Sequence, residues 1–205
     1  TGGLAASMPT PKPLFFCTGA ALRVEGKEAF ERLSHANVVE CYGLSETAAI
    51  THCNPIQRAR AGAVGLPLPG VEAEIRDMQT GEPLPFLHVG ELFVRGAQIM
   101  RGYLDSAETE AIITADGWLK TGDLAELDED GYFHILGLCS SVYWTADGVA
   151  IYPRDIEEVL IERPELNDVA VIGHGGDLTA CIQLVDQGQI SAEELRDFCR
   201  ERLPE

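Results

Sequence analysis

Positive charge is scarce in this sequence. Lysine occurs only at Lys12, Lys27 and Lys120, and lysine plus arginine number 15 against 33 acidic residues, a net charge of −18. A field of that sign repels phosphate backbones and anionic lipid surfaces, which disfavours nucleic-acid and membrane-surface roles. Long apolar runs are missing too, and none approaches the roughly 20 residues of a membrane-spanning helix. Six cysteines, Cys17, Cys41, Cys53, Cys139, Cys181 and Cys199, are scattered without a C-x-x-C pair. That pattern argues against a zinc site or a disulfide framework and predicts reduced, mostly buried thiols in a cytoplasmic protein. The opening TGGLAASMPTPKP has neither an initiating Met nor a signal-peptide layout, so the chain is expected to begin inside a longer polypeptide. Internal repeats and low-complexity tracts are also absent.

With 205 residues and 45% hydrophobic content, the chain can bury a sizeable core. PLFFCTGAAL, residues 13–22, reads as a buried strand entering a tight turn, and a helix is predicted over residues 25–33. NVVECYG predicts a second strand, again stopped by a glycine. From Gly65 to Gly102 the alternation in VEAEIRD and GELFVRG, broken by TGEPLP, predicts a small antiparallel sheet or barrel. A short capped helix follows over 105–113, then two strands around the turn DEDG. Beyond Gly137, SVYW and VAIY flank TADG as a hairpin. PRDIEEVLIERP predicts a helix with Pro153 at its first position and Ile156, Val159 and Leu160 on its buried face. DVAVIG and LTACIQLVD read as strands joined through HGGD, and SAEELRDFCRERL as a helix with Ser191 and Glu194 in a capping box. The fold class is α/β, with a sheet-rich middle and a small α+β tail.

Residues able to do chemistry lie at strand ends. Glycines after Thr18 and Tyr42 let a ligand approach the backbone, Ser45 supplies a hydroxyl, and Glu46 is a hard oxygen ligand of the kind Mg²⁺ takes together with phosphates. The carboxylate of TGD, Asp123, can accept hydrogen bonds from a ribose diol. Taken singly these signals are weak, since a Gly-x-Ser-Glu turn also describes a capped helix start.

Six segments carry more weight in combination: CTGAAL, CYGLSETAAI, GAVGLPLPGVEAEIRD, GELFVRGAQIMRGYL, GWLKTGDLAELDEDGYFHILG and GVAIYPRDIEEVL. In this order and spacing the sequence resembles the AMP-forming acyl-CoA synthetases of the adenylate-forming superfamily, closest in flavour to fatty-acid or aryl-acid CoA ligases. The resemblance runs from about residue 13 to 204. It implies that residues 1–138 are the C-terminal portion of the large AMP-binding domain, a sheet plus a small β-barrel. Residues 139–205 would be a small mobile C-terminal domain, truncated before its final segment. It implies a ligase of fatty-acid metabolism that uses ATP, Mg²⁺ and CoA to convert a carboxylic acid to an acyl-adenylate and then a thioester, with the N-terminal part of the same polypeptide as partner. Gly19, Ala20 and Ala21 would lie along the adenine, Tyr42 and Gly43 against its face, and Ile135 beside it. Ser45 would contact the α-phosphate, Glu46 the metal, and Asp123 the ribose, with Ser45 and Glu46 catalytic. Thr47 and Ala48 would adjoin the acyl group, Ser140 would be the hinge, and Gly148 would sit on the hairpin of the thiol step.

The sequence departs from the family where it matters. Leu138 stands where the resemblance expects a ribose-binding arginine, Ser140 where it expects a charged hinge, and Trp144 where lysine is common. The segment 137–148 is one residue longer than usual. The family's late lysine has no counterpart, so this chain alone is expected to be inactive. These departures keep open a degenerate, non-catalytic nucleotide- or acyl-binding module, or a folded segment without ligand affinity. The remaining features read as structural: five histidines without ligand spacing, satisfied or on the surface, and ELDEDG as a solvated turn rather than a Ca²⁺ loop.

Overall fold

The structure, a computed structural model, describes residues 12–203 except 21, 23, 146, 147, 175, 176 and 187. The described residues fall into two compact units that divide after Ile135.

The first unit opens with β1 (Leu14–Cys17), helix α1 (Val24–Ser34) and β2 (Asn37–Leu44). The β1–α1–β2 crossover pairs β1 parallel to β2, with Leu14 opposite Asn37 and Cys17 opposite Glu40. Helix α1 is tied to β2 through Glu31, whose carboxylate accepts from Val38 N–H at 2.7 Å and from Lys27 at 3.1 Å. Those contacts, the backbone bond first, hold the Glu31 carboxyl below its usual range. Strands β3 (Ala49–Cys53) and β4 (Leu66–Pro67) complete an antiparallel extension in the order β1-β2-β3-β4. In one respect the sequence misleads. β1 is an exposed edge rather than a buried strand, with Phe16 60% accessible and Phe15 resting edge-on against Phe30 of α1 at 5.3 Å. Its apolar run reports what the strand would bury, and no described element covers it.

A second sheet, in the order β5-β6-β7-β8, is built from β5 (Val71–Arg76), β6 (Val89–Gly96), β7 (Leu119–Leu127) and β8 (Phe133–Leu138). Between β6 and β7 lies helix α2 (Ser106–Ile112), capped by Asp105, which accepts from Ala107 N–H at 2.7 Å. Ile75, Leu92, Val94, Leu119, Ala125 and Phe133 form the core, with Tyr42 of β2 packed against it. Phe93, on the opposite face, is buried under the Arg76 guanidinium, 4.5 Å from the ring centroid. Gly65 bridges to Phe133, joining the two sheets. The DEDG turn is tied down rather than merely solvated, since Arg60 pairs with both Asp128 and Asp130.

The second unit begins at Leu136. A short 3₁₀ segment, Cys139–Ser141, leads to the two-stranded β9 (Tyr143–Trp144) and β10 (Ala150–Ile151). Helix α3 (Pro153–Leu160) starts on proline as expected and buries Leu160. Strands β11 (Leu166–His174) and β12 (Asp177–Leu184) pair antiparallel, with His174 opposite Asp177, and the two glycines of HGGD between them lie outside the described residues. Helix α4 (Ala192–Arg200) carries the reciprocal capping box, Ser191 accepting from Glu194 N–H and Glu194 from Ser191 N–H at 2.8 Å. The cysteines are free, but the expectation that most are buried fails: Cys41 is buried, Cys181 is exposed and the other four are half-buried.

Candidate functional site

Parallel pairing makes β1 and β2 end on the same side of their sheet, and the Thr18–Ala20 turn and the YGLSET turn both emerge there. Ligands of α/β sheets bind outside such carboxyl ends. After Tyr42 the ladder with β3 is irregular, and at Gly43 a Cβ would lie 2.2 Å from Ala49 O. Gly43 is therefore required by the approach of β3, a demand separate from the room for a base expected of it. Residues Ser45–Thr47 then form one 3₁₀ turn and Ala48 takes a left-handed conformation at φ 57°. The turn is latched from inside. Thr47, 0% exposed, accepts from Leu44 N–H at 2.9 Å and lies 2.7 Å from Ala49 O. Thr47, expected beside an acyl group, has its hydroxyl spent on the backbone, whereas Ser45 and Ala48 face outward.

The latch presents Glu46 at the tip of the turn. Its backbone oxygen accepts from Met100 N–H at 2.8 Å and its Oε1 from the Tyr103 hydroxyl at 2.5 Å. That bond, first among its causes, raises the Tyr103 phenol above its usual range.

TGD is a bulge in β7. Glu91 pairs with Leu124 and Phe93 with Lys120, so Thr121, Gly122 and Asp123 together face the single residue Leu92. Such an insertion bends a strand and re-aims its side chains. Thr121 Oγ1 donates to Leu92 O at 2.7 Å and accepts from Asp123 N–H at 3.1 Å. Gly122 takes φ 74°, which a side chain would strain, and its N–H donates to Glu91 Oε1 at 3.1 Å. Asp123 is thereby turned inward, 8% exposed, where its Oδ2 accepts from the Tyr42 hydroxyl at 2.5 Å. Burial pushes its carboxyl above the usual range, partly offset by the tyrosine bond.

Beside this pair lies a cleft of about 260 Å³ lined by Leu44, Glu46, Glu91, Tyr103, Lys120 and Thr121, among others. Burial raises the Glu91 carboxyl, with the Gly122 bond and the Lys120 charge pulling the other way. Glu91, Tyr103 and Lys120 were not singled out from sequence. Tyr103 had a visible signal, a phenol just after a glycine in IMRGYL, whereas Glu91 is recognisable only once the β6–β7 register is known.

The structure thus joins Tyr42 to Asp123 and sets Glu46 in the cleft with Thr121 and Gly122. Gly19 and Ala20 are exposed in the turn after β1, Ala21 lies outside the described residues, and Ile135 packs against the core. Ser140 and Gly148 belong to the second unit, in its 3₁₀ segment and at φ 85° in its first hairpin. Among the described residues no three His, Cys, Asp or Glu side chains gather to hold a metal. A single half-buried carboxylate, that of Glu46 with Oε1 held by Tyr103, still suits Mg²⁺, which takes one or two carboxylates and completes its shell with water and phosphate. Nor, among the described residues, is any helix long and apolar enough to cross a membrane.

Comparison with known proteins identifies the family. Residues 5–104 match the family model described as AMP-binding enzyme. A long-chain-fatty-acid–CoA ligase of Bacillus subtilis (strain 168) is 39% identical over 191 residues, covering 90% of this chain and 34% of that protein. A 4-coumarate–CoA ligase-like protein of Oryza sativa subsp. japonica is 38% identical over 180 residues, covering 82% and 32%. The crystal structure of ATP-bound MatB from Rhodopseudomonas palustris superposes with TM-score 0.85 at 32% identity, covering 93% of this chain and 39% of that one. The chain spans about a third of the length of the curated relatives it matches. With the family model, the relatives and the solved structures in agreement, the chain belongs to the adenylate-forming superfamily of AMP-binding enzymes and within it resembles the acyl-CoA ligases.

Proposed function

We propose that the protein carrying this chain activates a carboxylic acid with ATP and passes the acyl group to the thiol of CoA. The observation that carries the proposal is the Tyr42–Asp123 hydrogen bond at 2.5 Å, which unites YGLSET, at the carboxyl end of β2, with TGD, the bulge inside β7 rather than at a strand end as expected. In this reading the substrate carboxylate attacks the α-phosphorus of ATP, giving acyl-adenylate and pyrophosphate. The CoA sulfur then attacks the acyl carbon and expels AMP. Tyr42 lies on the adenine with Gly19, Ala20, Ala21 and Ile135 around it, and Asp123, with Oδ2 held by Tyr42, offers Oδ1 to the ribose diol. Ser45, exposed at the tip of the turn, contacts the α-phosphate. Glu46 would hold Mg²⁺, which when bound neutralises phosphate charge. Ala48 faces the acyl side, and Thr47 acts through the turn it latches. Positioning and charge neutralisation carry the first step, since phosphoryl-type transfer leaves the protein little covalent chemistry.

Residues 1–138 are assigned to a large nucleotide-binding domain and 139–205 to a small mobile one, with Ser140 as hinge and Gly148 on the thiol-step hairpin. The exposed apolar side chains of β1 and α1, Phe16 and Leu33 among them, support the preceding part of the same polypeptide as the partner that covers them. Of the three lysines only Lys120 lines the cleft, which supports inactivity of the isolated chain. Six free thiols fit a cytoplasmic setting. A second reading, a nucleotide-binding module without turnover, is favoured by Leu138, an exposed leucine (54%) where the family resemblance expects arginine.

Acid-dependent exchange of labelled pyrophosphate into ATP, run on the full protein with fatty and aryl acids, tests both. Exchange with any acid class supports the ligase. AMP binding without exchange favours the module, and neither activity removes the proposal.

A further inference from the structure

Strands β2 and β3 bring together two cysteines 12 residues apart in sequence. Cys41 is directly opposite Cys53, and Asn54 N–H donates to Glu40 O at 3.0 Å one residue further along the ladder. The Glu40–Asn54 position is therefore the hydrogen-bonded one and Cys41–Cys53 the non-hydrogen-bonded one, where opposed side chains come closest, with Cα atoms about 4.5 Å apart. The two sulfurs are 3.0 Å apart. Disulfides form across Cα separations of about 4.4–6.8 Å with sulfurs at about 2.05 Å, so closure needs roughly 1 Å of side-chain movement and no change of register.

We propose that Cys41 and Cys53 form a thiol-oxidation site whose modified state is a cross-strand disulfide, with hydrogen peroxide as oxidant. The half-buried Cys53 meets the oxidant first, because Cys41 is only 5% exposed. The Cys53 thiolate attacks one peroxide oxygen, the O–O bond breaks, and the departing hydroxide takes up a proton to leave as water, giving a sulfenic acid. The Cys41 sulfur then attacks the Cys53 sulfur, the S–O bond breaks, and the Cys41 proton leaves with the hydroxyl as a second water. Two thiols and one peroxide become one disulfide and two waters, and a dithiol reductant reverses the bridge by exchange. Burial, first, and the neighbouring Cys53 push the Cys41 thiol up to about 12, so attack by Cys41 accelerates as pH rises.

The bridge would pin the strand pair that carries Tyr42 and leads into the Glu46 turn. Only its consequence for nucleotide binding rests on the proposed function, and formation of the bridge does not.

The test uses the wild type and a variant with Cys17→Ser, Cys139→Ser, Cys181→Ser and Cys199→Ser, which leaves the two sulfurs at issue. After hydrogen peroxide and removal of excess, the variant should fall from two alkylatable thiols to none as a monomer. Wild-type digests should contain the Cys41 and Cys53 peptides linked and released by dithiothreitol. Hydrogen exchange of the β2–β3 amides should slow in the oxidised form. A bridge from Cys17 to either sulfur, or two thiols still alkylatable in the folded variant, would overturn the proposal. If the variant fails to fold, the wild-type peptide map decides alone, and unlinked peptides there overturn it. AMP titration of both redox forms reads the consequence separately, so unchanged affinity with a mapped bridge bears on the nucleotide site alone.

Discussion

Tyr42 meets two demands at once, since its ring packs against the sheet core while its hydroxyl holds Asp123. Removing the hydroxyl leaves a buried carboxylate with one donor fewer, a change of about 1–3 kcal/mol. Because that bond lowers the Asp123 pKa against the upward push of burial, its loss moves the pKa higher. In Tyr42→Phe, which can still stack, AMP affinity should therefore begin to fall at a higher pH than in the wild type as the solution is acidified. Calorimetric titrations across pH check this, and coincident profiles would uncouple the pair. His52 makes the second residue-scale case. It is fully buried between Tyr42 and Phe133, and burial lowers its pKa from 6.5 to about 4. Nδ1 meets Thr51 Oγ1 at 2.9 Å but Nε2 has no partner, so the expectation of a satisfied core histidine is only half met. The folded state keeps this ring neutral while the unfolded chain takes up a proton below its ordinary pKa. Stability is accordingly full above pH 6.5 and lost as pH falls toward 4, by at most about 3 kcal/mol from this residue. Urea midpoints at pH 7 and 4.5 should drop less in His52→Asn than in wild type, and equal drops would refute the assignment.

Two elements, the latched turn and the TGD bulge, set the site, and both depend on register. Glu91 holds the bulge by accepting from Gly122 N–H. Glu91→Ala should cost about 1–2 kcal/mol and weaken AMP binding several-fold, whereas Glu91→Gln, which keeps the acceptor and removes a half-buried charge, should restore both. Thermal melts and titrations of the two variants check this, and equal losses would assign the effect to charge rather than to the bulge. The same dependence on register explains how much was legible beforehand. Strand alternation, Pro153 at a helix start, and the Asp105 and Ser191–Glu194 caps are local signals, and they located most elements to within a residue or two. Tyr42, Glu46 and Asp123 were legible as candidates because their motifs are short. Their grouping, the latch by Thr47, the role of Glu91 and the facing of Cys41 with Cys53 were not, since each depends on which residues of two strands lie opposite. The demand that the β3 backbone places on Gly43 was illegible for the same reason.

At the scale of the whole molecule, a net charge of −18 surrounds a cleft to which Lys120 contributes the cationic side chain, an uninviting field for a polyanionic nucleotide. In the proposed site recognition would come from stacking, from hydrogen bonds and from a cation shared with phosphate, so affinity for AMP should depend on Asp123 more than on ionic strength. The exposure of β1 was illegible because composition states what a strand would bury and not what covers it. The most direct measurement of the account is calorimetric titration of AMP into the protein and its Asp123→Ala variant, with circular dichroism establishing that both are folded. Loss of two charge-assisted bonds to the ribose, roughly 1.5–3 kcal/mol each at the upper limit, predicts that the variant binds at least tenfold more weakly. Equal affinity in two folded proteins would contradict the central claim that Tyr42 and Asp123 form the nucleotide site.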